Sequence, residues 1–150
     1  MFFFFAHVLK IEFPESVSLF LQGDSLTWDE FEALLSACRK RRPDITVSTL
    51  RAFIFIARRT ADSPEQSPTI KELAEALELS HGTARRHCEV LESGPPGRAG
   101  LEWIVKVEGE DARSRRLAVS PKGMQFLSDL VSEVTRNRQL SFQSDTMTTR

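Results

Sequence analysis

Cysteine and histidine are scarce in this chain, whose 150 residues include two cysteines and three histidines. Cys38 and Cys88 are far apart and each lies in a helical pattern, so the sequence argues against a disulfide scaffold and favours a reduced, cytoplasmic protein. We expect Cys88 to be a small core residue, with a redox switch as the alternative. The histidines show no ligand spacing, so we expect no metal site.

Long hydrophobic runs are also absent. Residues 1–9 are hydrophobic and include four consecutive phenylalanines, but Lys10 and Glu12 interrupt this stretch before it could span a bilayer. No basic segment precedes it and no small-residue cleavage site follows it, which argues against a signal peptide. We therefore expect no membrane association.

The same end of the chain predicts a short strand. Leu9, Ile11 and Phe13 alternate with charged residues, and Pro14 would end the strand. An exposed strand beside so many phenylalanines would aggregate unless something covered it. The sequence leaves two possibilities open, an interface with a second subunit or packing within one subunit.

Motifs for catalysis are missing as well. The chain has no phosphate-cradling glycine loop, no paired histidines with a carboxylate at metal spacing, and no serine in a strained nucleophile turn. We therefore expect a protein that is not an enzyme and needs no cofactor.

Charge is nearly balanced but unevenly distributed. The formal net charge is −1, which does not favour a protein that coats nucleic acid non-specifically. Residues 1–37 contain one basic residue, Lys10, against six acidic ones: Glu12, Glu15, Asp24, Asp29, Glu30 and Glu32. Basic residues collect instead at Arg39, Lys40, Arg41 and Arg42, at Arg85 and Arg86, and at Arg113, Arg115 and Arg116. This segregation fits a protein that contacts DNA with one face.

Residues 69–91 predict two helices joined by a tight turn. Thr69 and Glu72 form a capping box at the start of the first helix, and Leu79 closes the turn. Ser80 is the natural N-cap of the second helix. The inward face of that helix is predicted to hold Ala84, His87, Cys88 and Leu91, and its outer face His81, Thr83, Arg85 and Arg86.

The outer face of the second helix suits the major groove of DNA. Its short donors near the N-terminus and its arginines one turn later could reach guanine and thymine edges. The candidate base-reading residues are Ser80, His81, Thr83, Arg85 and Arg86, with Thr69 and Lys71 as candidate phosphate contacts. The alternative is that the two arginines are ordinary solvent-exposed side chains with no binding partner.

A β-hairpin follows. Leu101, Trp103, Val105 and Val107 alternate with polar or exposed positions, as do Leu117 and Val119 after a loop, which predicts two half-buried strands. The loop carries the candidate contacts Arg113, Ser114, Arg115 and Arg116, which could straddle phosphates and enter a narrow minor groove. Asp111 is expected to orient this tip through an ion pair with Arg113 or Arg115.

Further helices flank this region. One begins at a capping box of Thr27 and Glu30 and has the apolar stripe Phe31, Leu34, Leu35 and Cys38. The basic run at its end, residues 39–42, either complements the helix dipole or contacts phosphate. Another helix covers about residues 47–59, and residues 61–68 read as a polar linker. A helix from Pro121 carries a stripe for a core or a dimer seam: Met124, Leu127, Leu130, Val131 and Val134.

Together these motifs resemble the MarR type of bacterial winged-helix regulator. The resemblance covers roughly residues 44–130, and its most specific element is the run Asp111-x-Arg113 followed by Ser120-Pro121-Lys122-Gly123. It implies a homodimer that binds a short pseudo-palindromic double-stranded DNA site, with the second helix in the major groove and the hairpin, or wing, in the minor groove. It also implies a repressor, while no residue identifies a small-molecule effector.

The expected fold is therefore mainly α with a small β-hairpin wing. We predict an N-terminal extension over residues 1–43, a winged helix-turn-helix over 44–120, a C-terminal helix over 121–138 and a disordered tail over 139–150. The expected function is sequence-specific DNA binding in transcription regulation. The alternatives are a plasmid or phage factor for replication, partition or transfer, and a winged helix that serves as a protein-interaction module.

Overall fold

The fold is described by a computed structural model that covers residues 12–22, 26–109 and 115–147. The described elements are α1 (Glu15–Gln22), α2 (Trp28–Arg41), α3 (Val47–Asp62), a 3-10 turn (Pro64–Gln66), α4 (Ile70–Leu77), α5 (His81–Leu91), β1 (Ile104–Glu108), β2 (Arg115–Val119) and α6 (Pro121–Met147). The strand expected before Pro14 falls almost wholly outside the described residues. Asp111, Arg113 and Ser114 of the wing tip also lie outside them. Helix α1 was not predicted from the sequence.

Polar caps fix where the helices begin, as the sequence predicted. At the start of α4, the Thr69 hydroxyl accepts from the Glu72 amide at 3.2 Å, and the Glu72 carboxylate accepts from the Thr69 amide at 3.0 Å. Thr27 and Glu30 make the same reciprocal pair at the start of α2. The Ser80 hydroxyl accepts from the Thr83 amide at 3.1 Å and opens α5. Each cap satisfies amides that have no partner within the helix.

The chain forms two compact units. One contains Thr46–Gln125, and the other combines Pro14–Ile45 with the part of α6 from Phe126 onward. The domain limits expected from sequence, at residues 43/44 and 120/121, stay a prediction.

The core of the first unit lies among α3, α4, α5 and the hairpin. Its largest fully buried apolar side chains are Phe53, Ile56, Leu73, Leu91, Ile104, Leu117 and Val119. Phe53 of α3 packs against Trp103, which precedes β1, with ring centroids 5.1 Å apart and planes tilted by 47°. Such a pair adds to the stabilisation from burial alone.

Ion pairs engage the basic run at the end of α2 in the second unit. Arg41 donates to the Glu133 carboxylate at 2.8 Å, and the Lys40 ammonium lies 3.6 Å from the same group. Nearer the start of α2, Glu30 is 5% exposed and accepts from the Arg138 guanidinium. Lys40 and Arg41 thus share one carboxylate partner on α6, an arrangement that neither sequence interpretation of this run included.

Helix α6 extends further than the sequence predicted. It continues to Met147, whereas we expected it to end at residue 138 and a disordered tail to begin at 139. That expectation was wrong for the described residues. No glycine or proline lies between Gly123 and Met147, so this segment contains no helix-breaking residue, even though it is polar.

The hairpin is antiparallel, and its register pairs Ile104 with Val119 and Glu108 with Arg115. The predicted alternation was wrong on β1, because Ile104 is buried and Val105 is 37% exposed. The cause is Glu102, whose φ of 56° is left-handed and interrupts the extended chain. The buried residues Leu101 and Trp103 therefore precede the strand, and their amides donate to the carbonyls of Val90 and Leu91.

The Ser120-Pro121-Lys122-Gly123 run joins the base of the hairpin to α6. The Ser120 amide donates to the Trp103 carbonyl at 2.8 Å, and the Ser120 hydroxyl accepts from the Gly123 amide at 3.0 Å. A Cβ atom on Gly123 would lie 2.1 Å from the Trp103 carbonyl oxygen. Position 123 therefore requires glycine because the backbone of residue 103 occupies the space of a side chain.

The Gly123→Ala variant is expected to be less stable than the wild type by about 1–3 kcal/mol, because the added methyl group forces two backbone segments apart. Urea denaturation followed by circular dichroism measures the difference. Gly82→Ala is the matched control, since a Cβ there meets no atom within 4 Å. Equal stability of the two variants would contradict the close approach at Gly123.

Candidate nucleic-acid interface

Helix α5 divides into a buried and an exposed face as the sequence predicted. Ala84, Cys88 and Leu91 are buried, whereas His81, Gly82, Arg85 and Arg86 are exposed. Thr83 is half-buried, and its hydroxyl lies 2.8 Å from that of Ser80. The exposed face therefore presents a histidine and two arginines beside the capped N-terminus of the helix.

The two arginines of α5 differ in their surroundings. The Arg85 guanidinium lies 3.3 Å from the Glu89 carboxylate, one turn along the same helix. Within the described ranges, Arg86 forms no ion pair. Both side chains are exposed, so both guanidinium groups are open to an external acceptor. For Arg85, that acceptor would compete with the Glu89 carboxylate, whereas Arg86 has no such competing ion pair among the described residues.

Helix α5 is held to α3 by a short chain of hydrogen bonds. His87 Nδ1 lies 3.0 Å from the Thr49 hydroxyl, which in turn lies 2.9 Å from the Thr46 hydroxyl. Burial lowers the pKa of His87 from its ordinary value of 6.5, so the ring is neutral at physiological pH. The sequence placed His87 on the inward face but gave no partner for it, because Thr49 belongs to another helix.

Stability is expected to depend on this histidine. Its pKa is lower in the folded protein, so the unfolded chain binds the proton more tightly and the free energy of unfolding falls as pH drops below about 6.5. Urea denaturation at pH 7.5 and at pH 5 measures this loss. In His87→Gln the difference between the two pH values should shrink. An undiminished difference in that variant would assign the effect to other groups.

Neither thiol has the properties of a redox sensor. Burial raises the pKa of Cys38 to about 11 and that of Cys88 to about 12, so both are protonated at neutral pH. Both side chains are buried. Since the thiolate is the reactive form, this environment favours the interpretation of Cys88 as a core residue.

The wing residues have different environments. Arg115 is exposed at the start of β2, opposite Glu108. Arg116 is 27% exposed at its side chain and donates to the Ser67 carbonyl at 2.8 Å. Asp111, Arg113 and Ser114 lie outside the described residues. The structure thus separates Arg115, which faces solvent, from Arg116, which is engaged inside the unit.

At the start of α4, Lys71 is exposed and Thr69 is half-buried. The Thr69 hydroxyl accepts from the Glu72 amide, but a hydroxyl that accepts one bond still has a hydrogen to donate. Both predicted phosphate contacts therefore keep a donor available.

The link between α5 and the hairpin closes on itself. The Gly100 amide donates to the Ser93 carbonyl at 2.8 Å, and the Gly94 amide donates to the Glu89 carbonyl at the same distance. Gly94 has a left-handed φ of 91°, and a Cβ on Gly100 would lie 2.3 Å from the Glu92 carbonyl oxygen. The intervening residues thus form a closed loop, and the hairpin starts directly beside the end of α5.

No protein-family model matches this chain, and no curated protein matches it. A solved structure does: MepR, a transcription regulator of the Staphylococcus aureus multidrug efflux pump MepA, covers 79% of this chain with a TM-score of 0.54. The match includes 84% of the MepR chain at 16% sequence identity. The chain therefore has a winged-helix fold like that of MepR. The predicted fold is therefore confirmed, with α4 and α5 as the helix-turn-helix and β1 and β2 as the wing.

In the part of the chain that the structure describes, no helix has the length and apolar character needed to cross a bilayer. The same residues include no group of three or more histidine, cysteine or acidic side chains placed to hold a metal ion.

Proposed function

We propose that this protein is a sequence-specific double-stranded DNA-binding protein, without enzymatic activity, that regulates transcription. The observation that carries the proposal is the exposed face of α5, where Arg85 and Arg86 follow a capped N-terminus on a winged-helix scaffold. Arginine on such a helix can donate two hydrogen bonds to the O6 and N7 atoms of guanine in the major groove.

In this proposal α5 reads bases and the wing holds the backbone. Arg86 is the main reader of a guanine, and the other contacts of α5 come from Ser80, His81, Thr83 and Arg85. Arg115, together with Arg113 and Ser114, contacts phosphates or the minor groove, and Asp111 orients that tip. Thr69 and Lys71 at the start of α4 contact a phosphate, where the positive end of the helix dipole adds to the attraction.

The assembly that fits this scheme is a cytoplasmic homodimer on a pseudo-palindromic site. Two copies related by a two-fold axis would place their α5 helices in successive major grooves about one helical turn apart. MepR is a transcription regulator of an efflux pump, which supports a regulatory role here, and repression follows if the occupied site overlaps a promoter.

Selection of random duplex DNA by the purified protein tests this function. We expect enrichment of a two-fold-symmetric motif and, in the same solution, a mass equal to two chains. Enrichment of direct repeats would favour a replication or partition factor. No enrichment at any salt concentration would contradict DNA recognition and favour a protein-interaction module.

A further inference from the structure

We propose that Arg116 is a positioning residue that fixes the wing to the helix-turn-helix, and that it does not contact DNA; this inference rests on the proposed function. The sequence placed Arg116 with Arg113 and Arg115 as one basic tip. The structure instead turns Arg116 toward the segment that leads into α4.

The side chain of Arg116 has a specific acceptor. Its Nη1 donates to the Ser67 carbonyl at 2.8 Å and lies 4.0 Å from the Glu72 carboxylate. Ser67 is completely buried. A guanidinium that satisfies a carbonyl of a buried residue cannot leave it for a phosphate without leaving that acceptor unpaired, which carries an energetic cost.

The backbone of β2 reinforces this contact. The amide of Leu117 donates to the Pro68 carbonyl at 2.8 Å. Two adjacent residues of β2 therefore bind two adjacent carbonyls, those of Ser67 and Pro68. This segment ends at Thr69, the N-cap of α4, so β2 is fixed beside the point where the helix-turn-helix begins.

Glu72 joins the contact to the helix cap. Its Oε2 atom accepts from the Thr69 amide at 3.0 Å and is the same atom that lies 4.0 Å from Arg116. The Glu72 carboxylate therefore has two roles: it caps the start of α4, and it attracts the Arg116 guanidinium that holds the wing.

The other strand has a tie of its own. The Lys106 ammonium of β1 lies 3.3 Å from the carboxylate of Glu92, the residue whose backbone amide caps the end of α5 by donating to the Cys88 carbonyl. The wing is thus attached on one strand to the start of α4 and on the other to the end of α5. Arg115 is exposed and lies nearer the wing tip than both contacts, opposite Glu108, which leaves it to supply the DNA-facing charge of β2.

Salt dependence separates a positioning residue from a phosphate contact. We would measure the dissociation constant for the selected duplex across a range of salt concentrations for wild type, Arg115→Gln and Arg116→Gln. Arg115→Gln should reduce the slope of log affinity against log salt by about 1. Arg116→Gln should weaken binding about tenfold, the equivalent of one hydrogen bond involving a charged group, and leave the slope unchanged.

The controls are a conservative variant and a distant one. Arg116→Lys keeps a donor and should recover part of the affinity, whereas Arg136→Gln removes an exposed charge in the other unit and should change neither affinity nor slope. A slope reduced by about 1 in Arg116→Gln would overturn the proposal. So would an affinity equal to that of wild type.

A second readout needs no DNA. Hydrogen exchange of the Leu117 amide in the free protein should be faster in Arg116→Gln and in Glu72→Gln than in Arg115→Gln, because only the first two weaken the contact between β2 and the start of α4. Unchanged exchange in both variants would overturn the positioning role. If the wild type selects no DNA but exchange responds as expected, the proposed function fails and the positioning role stands. If Arg116→Gln does not fold, the exchange rate of the Leu117 amide in Glu72→Gln tests the positioning role.

Discussion

The Arg86→Ala variant is expected to lose about 1–3 kcal/mol of binding free energy on the selected duplex and to relax the preference at one base pair. Arg86 is exposed on α5 and, among the described residues, makes no ion pair that would compete with a base. Without the Arg86 guanidinium, the O6 and N7 atoms of the guanine would lose their protein donor and be hydrogen-bonded by water instead. Fluorescence anisotropy on the selected duplex, and on variants of each base pair, measures both effects.

Arg115→Ala and Arg85→Ala are the comparisons for this variant. Arg115 lies on the wing, where we expect it to contact phosphates. Its replacement by alanine should weaken binding to all duplexes by similar factors, because phosphates carry no sequence information. Arg85 is paired with Glu89 at 3.3 Å, so its removal should cost less than that of Arg86. A loss for Arg86→Ala that is uniform over all duplexes would sink the assignment of base reading to α5.

Phe53→Ala is expected to have the largest effect on stability, about 3–5 kcal/mol. Phe53 is completely buried on α3 and its ring packs 5.1 Å from that of Trp103. The carbonyl of Trp103 accepts from the Ser120 amide at the start of α6, so a cavity at Phe53 weakens the site where α3, the hairpin and α6 meet. Urea denaturation measures the loss.

Phe55→Ala is the matched control for that variant. Phe55 lies on the same helix but is half-exposed, and the Arg59 guanidinium lies 5.9 Å from the centre of its ring. Its truncation removes a similar volume from a site that water can fill, so the loss should be much smaller. Equal losses would show that the contact with Trp103 contributes little.

Local sequence signals predicted the helix-turn-helix well. The caps at Thr69 and Ser80 depend on residues three positions apart, and the buried face of α5 follows from helical spacing, so both can be found in a short window. The left-handed conformation of Glu102 could not be found in this way, because glutamate has no preference for it. Its partners are distant in the chain: the Glu102 amide donates to the Glu92 carbonyl at 2.7 Å, and the Glu102 carbonyl accepts from the Ser120 hydroxyl.

In the candidate site, too, some features follow from local sequence signals and others depend on contacts between distant residues. The exposure of Arg85 and Arg86 follows from their position on a helix whose other face is apolar. The roles of Arg116 and His87 depend on partners 49 and 38 residues away in the chain, so composition alone grouped Arg116 with its basic neighbours. Charge clusters in a sequence therefore include residues with structural partners as well as residues that face a ligand.

The most direct test of the account is the equilibrium affinity for the selected duplex and for a scrambled duplex of equal length and composition, measured across salt concentrations. Sequence-specific recognition through α5 predicts that the selected duplex binds at least about 1,000-fold tighter near physiological salt. It also predicts that both affinities fall steeply as salt increases. Equal affinity for the two duplexes, or affinity that does not change with salt, would contradict the account.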